Sequence, residues 1–192
     1  MILSIDWDWV TGDCADDPGH GCCGWCAPPP RKLSRGVVKK VKEGWLTRLE
    51  QLRKARPVDL GGGFWVAECH ADILRIVRPD EEAHILHLDS HMDDADWFGL
   101  SCGSWRTFLP RGTTTESIGM EQLTKEHFHD VFICQSSPWT PASMDKFFWD
   151  LVHHLSEITG SDPEFIGHRR MALVRAWTQL ERGREAETRA EV

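Results

Sequence analysis

The chain has no tyrosine, no internal repeat or low-complexity tract, and no apolar run near the roughly 20 residues that a membrane-spanning helix requires. Its opening MILSIDWDW meets acids after five residues, so a secretory signal is not expected either. These absences point to a cytoplasmic protein with no membrane partner. Without tyrosine, aromatic packing falls to ten Trp and eight Phe, which with 41% hydrophobic residues suffice for an ordinary core. Positive charge is also scarce: 22 Lys/Arg stand against 30 Asp/Glu, a net charge of −8. Ten of the basic residues fall in 31–56, beside only Glu43 and Glu50, leaving 12 basic against 28 acidic residues elsewhere, a net −16. A body this acidic has no basic face with which to neutralise phosphates, so nucleic acid is not an expected partner. Divalent cations or a cationic substrate suit it better.

The 192 residues fit one domain, 1–192. Four short apolar runs, MILSI, FWVAE, AHILHL and DVFICQ, read as buried strands of a parallel sheet. Between the first two, residues 34–55 carry Val37, Val38, Val41, Trp45, Leu46, Leu49 and Leu52 at helical spacing, stopped by Pro57 and Gly61–Gly63. A second helix, 140–160, has Thr140 as its cap, Pro141 in its first turn and Gly160 at its end. A last helix spans 163–187, with a charged, frayed tail over 181–192. The expected fold is α/β, a three-layer αβα domain with a mainly parallel sheet.

In open parallel sheets, functional groups gather beyond the carboxyl ends of the strands. Strand-end motifs therefore carry the most information. The first strand ends in Asp6 and Asp8, the second in Glu68 and His70, and the third in Asp89, His91 and Asp93, each set at alternate positions so that its side chains share a direction. Any one of these taken alone is ordinary: a solvated Asp pair, or a hydrogen-bonded core histidine. Together, from three strands expected to be neighbours, they place five carboxylates in one region, which is prohibitively repulsive unless cations hold them. Two divalent ions would do so, and a set dominated by carboxylates with two imidazoles suits Mn2+ better than a thiolate zinc site.

LHLDSHMD, residues 86–93, resembles the arginase and agmatinase (ureohydrolase) signature, and LSIDWDW, residues 3–9, resembles that family's second signature. The second motif follows the first in arginases but opens this chain, and the chain is short; this combination resembles a compact, permuted arginase-like group that includes peptide arginases. The resemblance implies an arginase-like fold and two Mn2+ ions, bridged by Asp6 and Asp89. It makes His70 and Asp93 the further ligands of one ion, and Asp8 and His91 those of the other. It implies that Glu68 grips the guanidinium as a bidentate partner, which favours arginine over lysine. Asp93 would hand a proton to the departing amine. GLSCGSWRTF, with Ser104 and Trp105 as substrate contacts, stands where arginases carry a histidine-bearing loop that reads the free amino-acid end. Here that histidine is absent, as expected for an enzyme acting on arginine within a ribosomally made precursor peptide, giving ornithine and urea.

Other readings stay open at this level. A related deacetylase-type enzyme would keep the fold with a single zinc, against which the paired Asp6 and Asp8 speak; a small-molecule ureohydrolase and a non-catalytic metal-binding protein are further alternatives. Seven cysteines in a cytoplasmic chain favour thiols or metal ligands over disulfides. Cys14, Cys22, Cys23 and Cys26, with His20 among them, form a Cys-rich loop over 13–30 that could hold a structural zinc ion, remain as thiols or form a disulfide. Cys69, Cys102 and Cys134 read as small buried residues. The basic helix 31–56 could dock an acidic peptide or simply present a solvated face.

Overall fold

The computed structural model describes residues 1–7, 50–51, 54, 56–57, 61–89, 100, 103–123, 127–136, 144–167 and 169–190. The Cys-rich loop 13–30, Asp8, His91 and Asp93 lie outside these residues, as does the expected helix 34–55 except for Glu50, Gln51 and Lys54.

In chain order the strands are β1 (Ile2–Asp6), β2 (Arg56–Pro57), β3 (Phe64–Ala67), β4 (His84–Leu88), β5 (Thr114–Ser117), β6 (His127–Phe128), β7 (Asp130–Cys134) and β8 (Glu164–Phe165). The helices are α1 (Met120–Leu123), α2 (Asp145–Thr159) and α3 (Arg170–Ala190). Six strands make one sheet in the order β5-β4-β1-β7-β3-β8, with every neighbouring pair parallel, while β2 and β6 form a separate two-stranded ribbon. The α/β class and the parallel sheet are as the sequence predicts. One adjacency differs: β7 lies between β1 and β3, so the three motif-bearing strands are not consecutive neighbours. The chain passes from β1 to β3 on one side and returns to β4 on the other, and such a reversal is where crevices open in sheets of this kind.

Alternation along the strands separates two cores. Leu3, Ile5, Phe64, Val66, Leu86, Leu88, Val131 and Ile133 face one way, with Phe148, Leu151, Val152 and Leu155 of α2 and Leu173 of α3 against them. The α2 set follows an i, i+3, i+4, i+7 stripe. Burying each such side chain contributes about 1.5–3 kcal/mol. The helix stops at Gly160, whose φ of 66° is the left-handed cap conformation and whose N–H donates to the Ser156 carbonyl at 2.9 Å. On the opposite face Ile2, Ile85, Phe132, Cys134 and Ala67 pack under Ile73, Val77 and Trp105, from a 3-10 turn at His70–Arg75, the segment after it, and a second turn at Trp105–Phe108.

The sequence reading did not anticipate β5 or β8. The strand β5 is polar and mostly exposed, held by its ladder with β4 and by Arg106, whose guanidinium donates to Thr115 and Ser117 hydroxyls. The last helix starts at Arg170 rather than 163, because β8 occupies Glu164–Phe165, and it stays helical to Ala190 through the stretch expected to fray. Among the described residues no helix is long and apolar enough to cross a membrane.

Candidate metal centre

On the face of the sheet covered by the two 3-10 turns, the strands present rows of register partners. One row holds His87, Ser4 and Phe132, from β4, β1 and β7. The next row towards the carboxyl ends holds Asp6 and its partner Cys134. One residue beyond the paired register of β4 comes Asp89, beside Asp6. Two acids thus end adjacent strands, each two residues past a serine or a histidine, and the histidine and both carboxylate side chains are almost wholly shielded from solvent.

His70 completes the group. Glu68 and Cys69 lie past the end of β3, and His70 opens the 3-10 turn, so Glu68 and His70 do not continue an extended strand as the sequence suggested. The turn carries the His70 ring over the sheet, where it stacks on Trp105 (centroids 4.9 Å apart, 16° between planes) and on Phe132 (5.5 Å, 29°) and meets the His87 ring edge-on at 4.7 Å. Both ring nitrogens are engaged: Nδ1 is 2.9 Å from Asp6 Oδ2 and Nε2 is 2.7 Å from Ser4 Oγ. The other Asp6 oxygen accepts from the Ser136 hydroxyl at 2.6 Å. His87 Nε2 is 3.2 Å from Asp89 Oδ2.

Ser136 reaches Asp6 because its backbone is left-handed, with φ of 47°, a conformation that costs a non-glycine residue about 1–2 kcal/mol. Its N–H donates to the Glu68 carbonyl at 3.2 Å, and the Cys134 thiol donates to that same carbonyl at 3.3 Å. The ends of β7 and β3 are thereby tied together beneath the site. At the start of α2, burial lifts the Asp145 carboxyl above its usual range, partly offset by Gln135 Nε2 donating to it at 3.3 Å.

Asp6, His70 and Ser4 follow the hydrogen-bond order of a serine hydrolase triad, but Ser4 sits mid-strand with no exposed surface, so no acyl group can reach its hydroxyl. The donor set fits a divalent cation instead. One ligand atom from each of His70, His87 and Asp89 lies within 4.8 Å of the others, the span of a single coordination sphere. Two adjacent ligands about 2.1 Å from an octahedral ion are about 3.0 Å apart, close to the 2.9 Å between His70 Nδ1 and Asp6 Oδ2. An ion held at Nδ1 would leave Nε2–H to donate to Ser4 Oγ, the kind of outer hydrogen bond that fixes a ligating imidazole.

Of the sequence-derived ligand set, the structure therefore puts His70 against Asp6 and groups His70 with Asp89, and it adds Ser4, His87 and Ser136, which the sequence analysis does not single out. Glu68 lies at the margin, its side chain 8% exposed, with Oε1 3.6 Å from Arg169 Nη1. Ser104 and Trp105, expected to touch substrate, are 2% and 0% exposed. The Trp105 surface is taken up by His70 and His87, the latter 5.3 Å away and nearly perpendicular. Asp8, His91, Asp93 and the Cys14, Cys22, Cys23 and Cys26 cluster fall outside the described residues. Compared with family models, curated proteins and solved structures, the chain has no match.

Proposed function

We propose that the protein is a metal-dependent hydrolase of the ureohydrolase type, acting on the guanidinium group of arginine residues in a peptide to give ornithine and urea. The observation that carries the metal part is the shielded group of His70, His87 and Asp89, one ligand atom of each within 4.8 Å of the others, with Asp6 2.9 Å from His70. Burying these carboxylates costs desolvation free energy that a shared cation would help to offset. In this reading Asp6, His70 and Asp89 hold metal together with Asp8, His91 and Asp93, and an oxygen-rich set with imidazoles favours two Mn2+ ions. Such ions would lower the pKa of a water nucleophile and offset the clustered negative charge.

The chain's own residues do the rest. His87 orients Asp89 and Ser4 orients His70, each through one hydrogen bond from below. Ser136 fixes the second oxygen of Asp6. Glu68, shielded at the edge of the site, presents a carboxylate of the kind that grips a guanidinium fork, and Asp93 supplies the proton to the leaving amine. The arginase-type choice within metal hydrolases rests on the resemblance of LHLDSHMD and LSIDWDW, and the peptide substrate on the missing histidine in GLSCGSWRTF.

The test is metal analysis of the purified chain followed by urea release with and without Mn2+, using free arginine and an arginine-containing peptide. The expected result is Mn2+-dependent urea from the peptide, with a loss of roughly 42 Da per converted arginine from the bond accounting of guanidinium hydrolysis. Bound metal without urea from either substrate would overturn the arginase reading, and a chain that binds no divalent ion would overturn the metal centre as well.

A further inference from the structure

We infer that Arg169 is a resident occupant of the guanidinium seat at Glu68, so that an arginine substrate enters by displacing the protein's own guanidinium. The inference rests on the role proposed for Glu68 above and adds a competitor built into the chain.

The placement follows from the sheet. β8 runs beside β3 with Trp65 opposite Glu164 and Val66 opposite Phe165, and Ile166 N–H donates to the Val66 carbonyl at 3.0 Å. The chain leaving β8 therefore emerges next to the chain leaving β3, whose first residue is Glu68. Gly167, at φ of 84°, turns it there, and the space a Cβ would need is filled by the Asp72 carboxylate. Asp72 is itself fixed by Arg75 Nε at 2.7 Å, and Arg170 N–H closes the turn onto the Gly167 carbonyl at 3.3 Å. Arg169 is mounted on this turn, with Nη1 3.6 Å from Glu68 Oε1.

The two partners differ in a way that suits exchange. The acid is shielded, at 8% exposure, while the arginine is an arm with 52% of its side chain in solvent. At 3.6 Å the pair attracts but lies beyond hydrogen-bond range. A substrate guanidinium that binds the carboxylate through two bonds of about 2.7–2.9 Å displaces it. A lysine ammonium lacks the paired donors and so gains less from the same carboxylate, a preference that belongs to Glu68 and not to Arg169. A half-exposed pair is worth up to about 1 kcal/mol, equivalent to about a fivefold loss of apparent affinity for the incoming guanidinium.

Calorimetric titration of methylguanidinium into the full Mn2+-loaded chain tests this, with wild type, Arg169→Ala, Arg169→Gln and Glu68→Gln compared. Arg169→Ala should bind the probe about two- to fivefold more tightly than wild type, and Arg169→Gln, which keeps the arm's bulk if the alanine variant folds poorly, should do the same. Glu68→Gln should lose the probe while keeping its metal. Unchanged or weaker binding in both Arg169 variants overturns the inference, and if wild type still releases urea from peptidyl arginine, the proposed function stands without it. Failure of every variant to bind methylguanidinium overturns the seat at Glu68 and the inference together, and metal content then reports separately on the centre.

Discussion

Replacing Ser4 by alanine removes one oxygen from the interior of β1, leaves the backbone ladder of the strand untouched, and deprives His70 Nε2 of its 2.7 Å partner. His70 has no exposed surface, and Trp105 and Phe132 stack on its ring, so water has no ready route to that nitrogen. Removing one hydrogen-bond partner of a buried polar group costs about 1–3 kcal/mol. For a chain of this length each kcal/mol moves the melting temperature by about 2–4 °C, so the metal-free Ser4→Ala protein should melt about 2–12 °C lower. Urea denaturation should show the same loss as a lower midpoint with an unchanged slope, because the exposed surface on unfolding is the same. The second consequence is specific to a metal ligand: without Ser4 to fix the ring, Mn2+ affinity should fall about 10–100-fold. Calorimetric Mn2+ titration reads this directly. A variant that keeps both its midpoint and its Mn2+ affinity would show that Ser4 does not hold the His70 ring, and the outer hydrogen bond assigned to it would be wrong.

Asp6→Asn keeps the size of the side chain but removes the charge and one anionic oxygen, so elemental analysis should find the bound Mn2+ lost; retention of the full complement would remove Asp6 from the ligand set. His87→Phe preserves an aromatic ring against Trp105 and deletes the nitrogen 3.2 Å from Asp89 Oδ2, and should weaken Mn2+ binding about 10–100-fold while leaving the fold's circular dichroism unchanged. Away from the site, His153 lies between α2 and α3, 2.6 Å from Glu181, and its pKa is lowered from 6.5 by burial and then by Arg184, against the opposing pull of Glu181 and Glu157. The unfolded chain then takes up the proton first as pH falls below about 6.5, so stability should decline on acidification through that window. His153→Gln should flatten that part of the denaturation-midpoint profile, and an unchanged slope would refute the assignment.

The strands that were legible are those whose neighbours cover both faces, because such strands read as near-continuous apolar runs: ILSID, FWVA, HILHL and DVFIC all appear where the sequence put them. β5 was not legible because TTES has no apolar periodicity; its place is set by pairing with β4 and by Arg106 from the turn just before it. β8 is two residues long, below what any period can reveal. The order of strands was harder still. Nothing local in DVFICQ says that it inserts between β1 and β3, and that insertion is what brings Ser136 to Asp6.

At the site itself, acids at strand ends were conspicuous because they interrupt apolar runs, whereas the residues that hold them were hidden inside those runs. His87 in HILHL and Ser4 in ILSID look like incidental members of a buried strand. Yet each lies two positions before a strand-end acid, Asp89 and Asp6, and a spacing of two puts them on the same face, one row deeper. A carboxylate at the mouth of a sheet needs orientation, and the side chain immediately below it, or below its neighbour, is the nearest group able to provide it. His87 serves its own strand's acid, while Ser4 serves the histidine that rests against Asp6. Past the end of β7, Ser136 turns back towards Cys134, and their hydroxyl and thiol lie 3.1 Å apart. A polar residue two positions upstream of a strand-end acid, inside an otherwise apolar strand, is thus a readable sign that the acid is meant to be held in place, and both DxD and DxHxD motifs of this chain carry one.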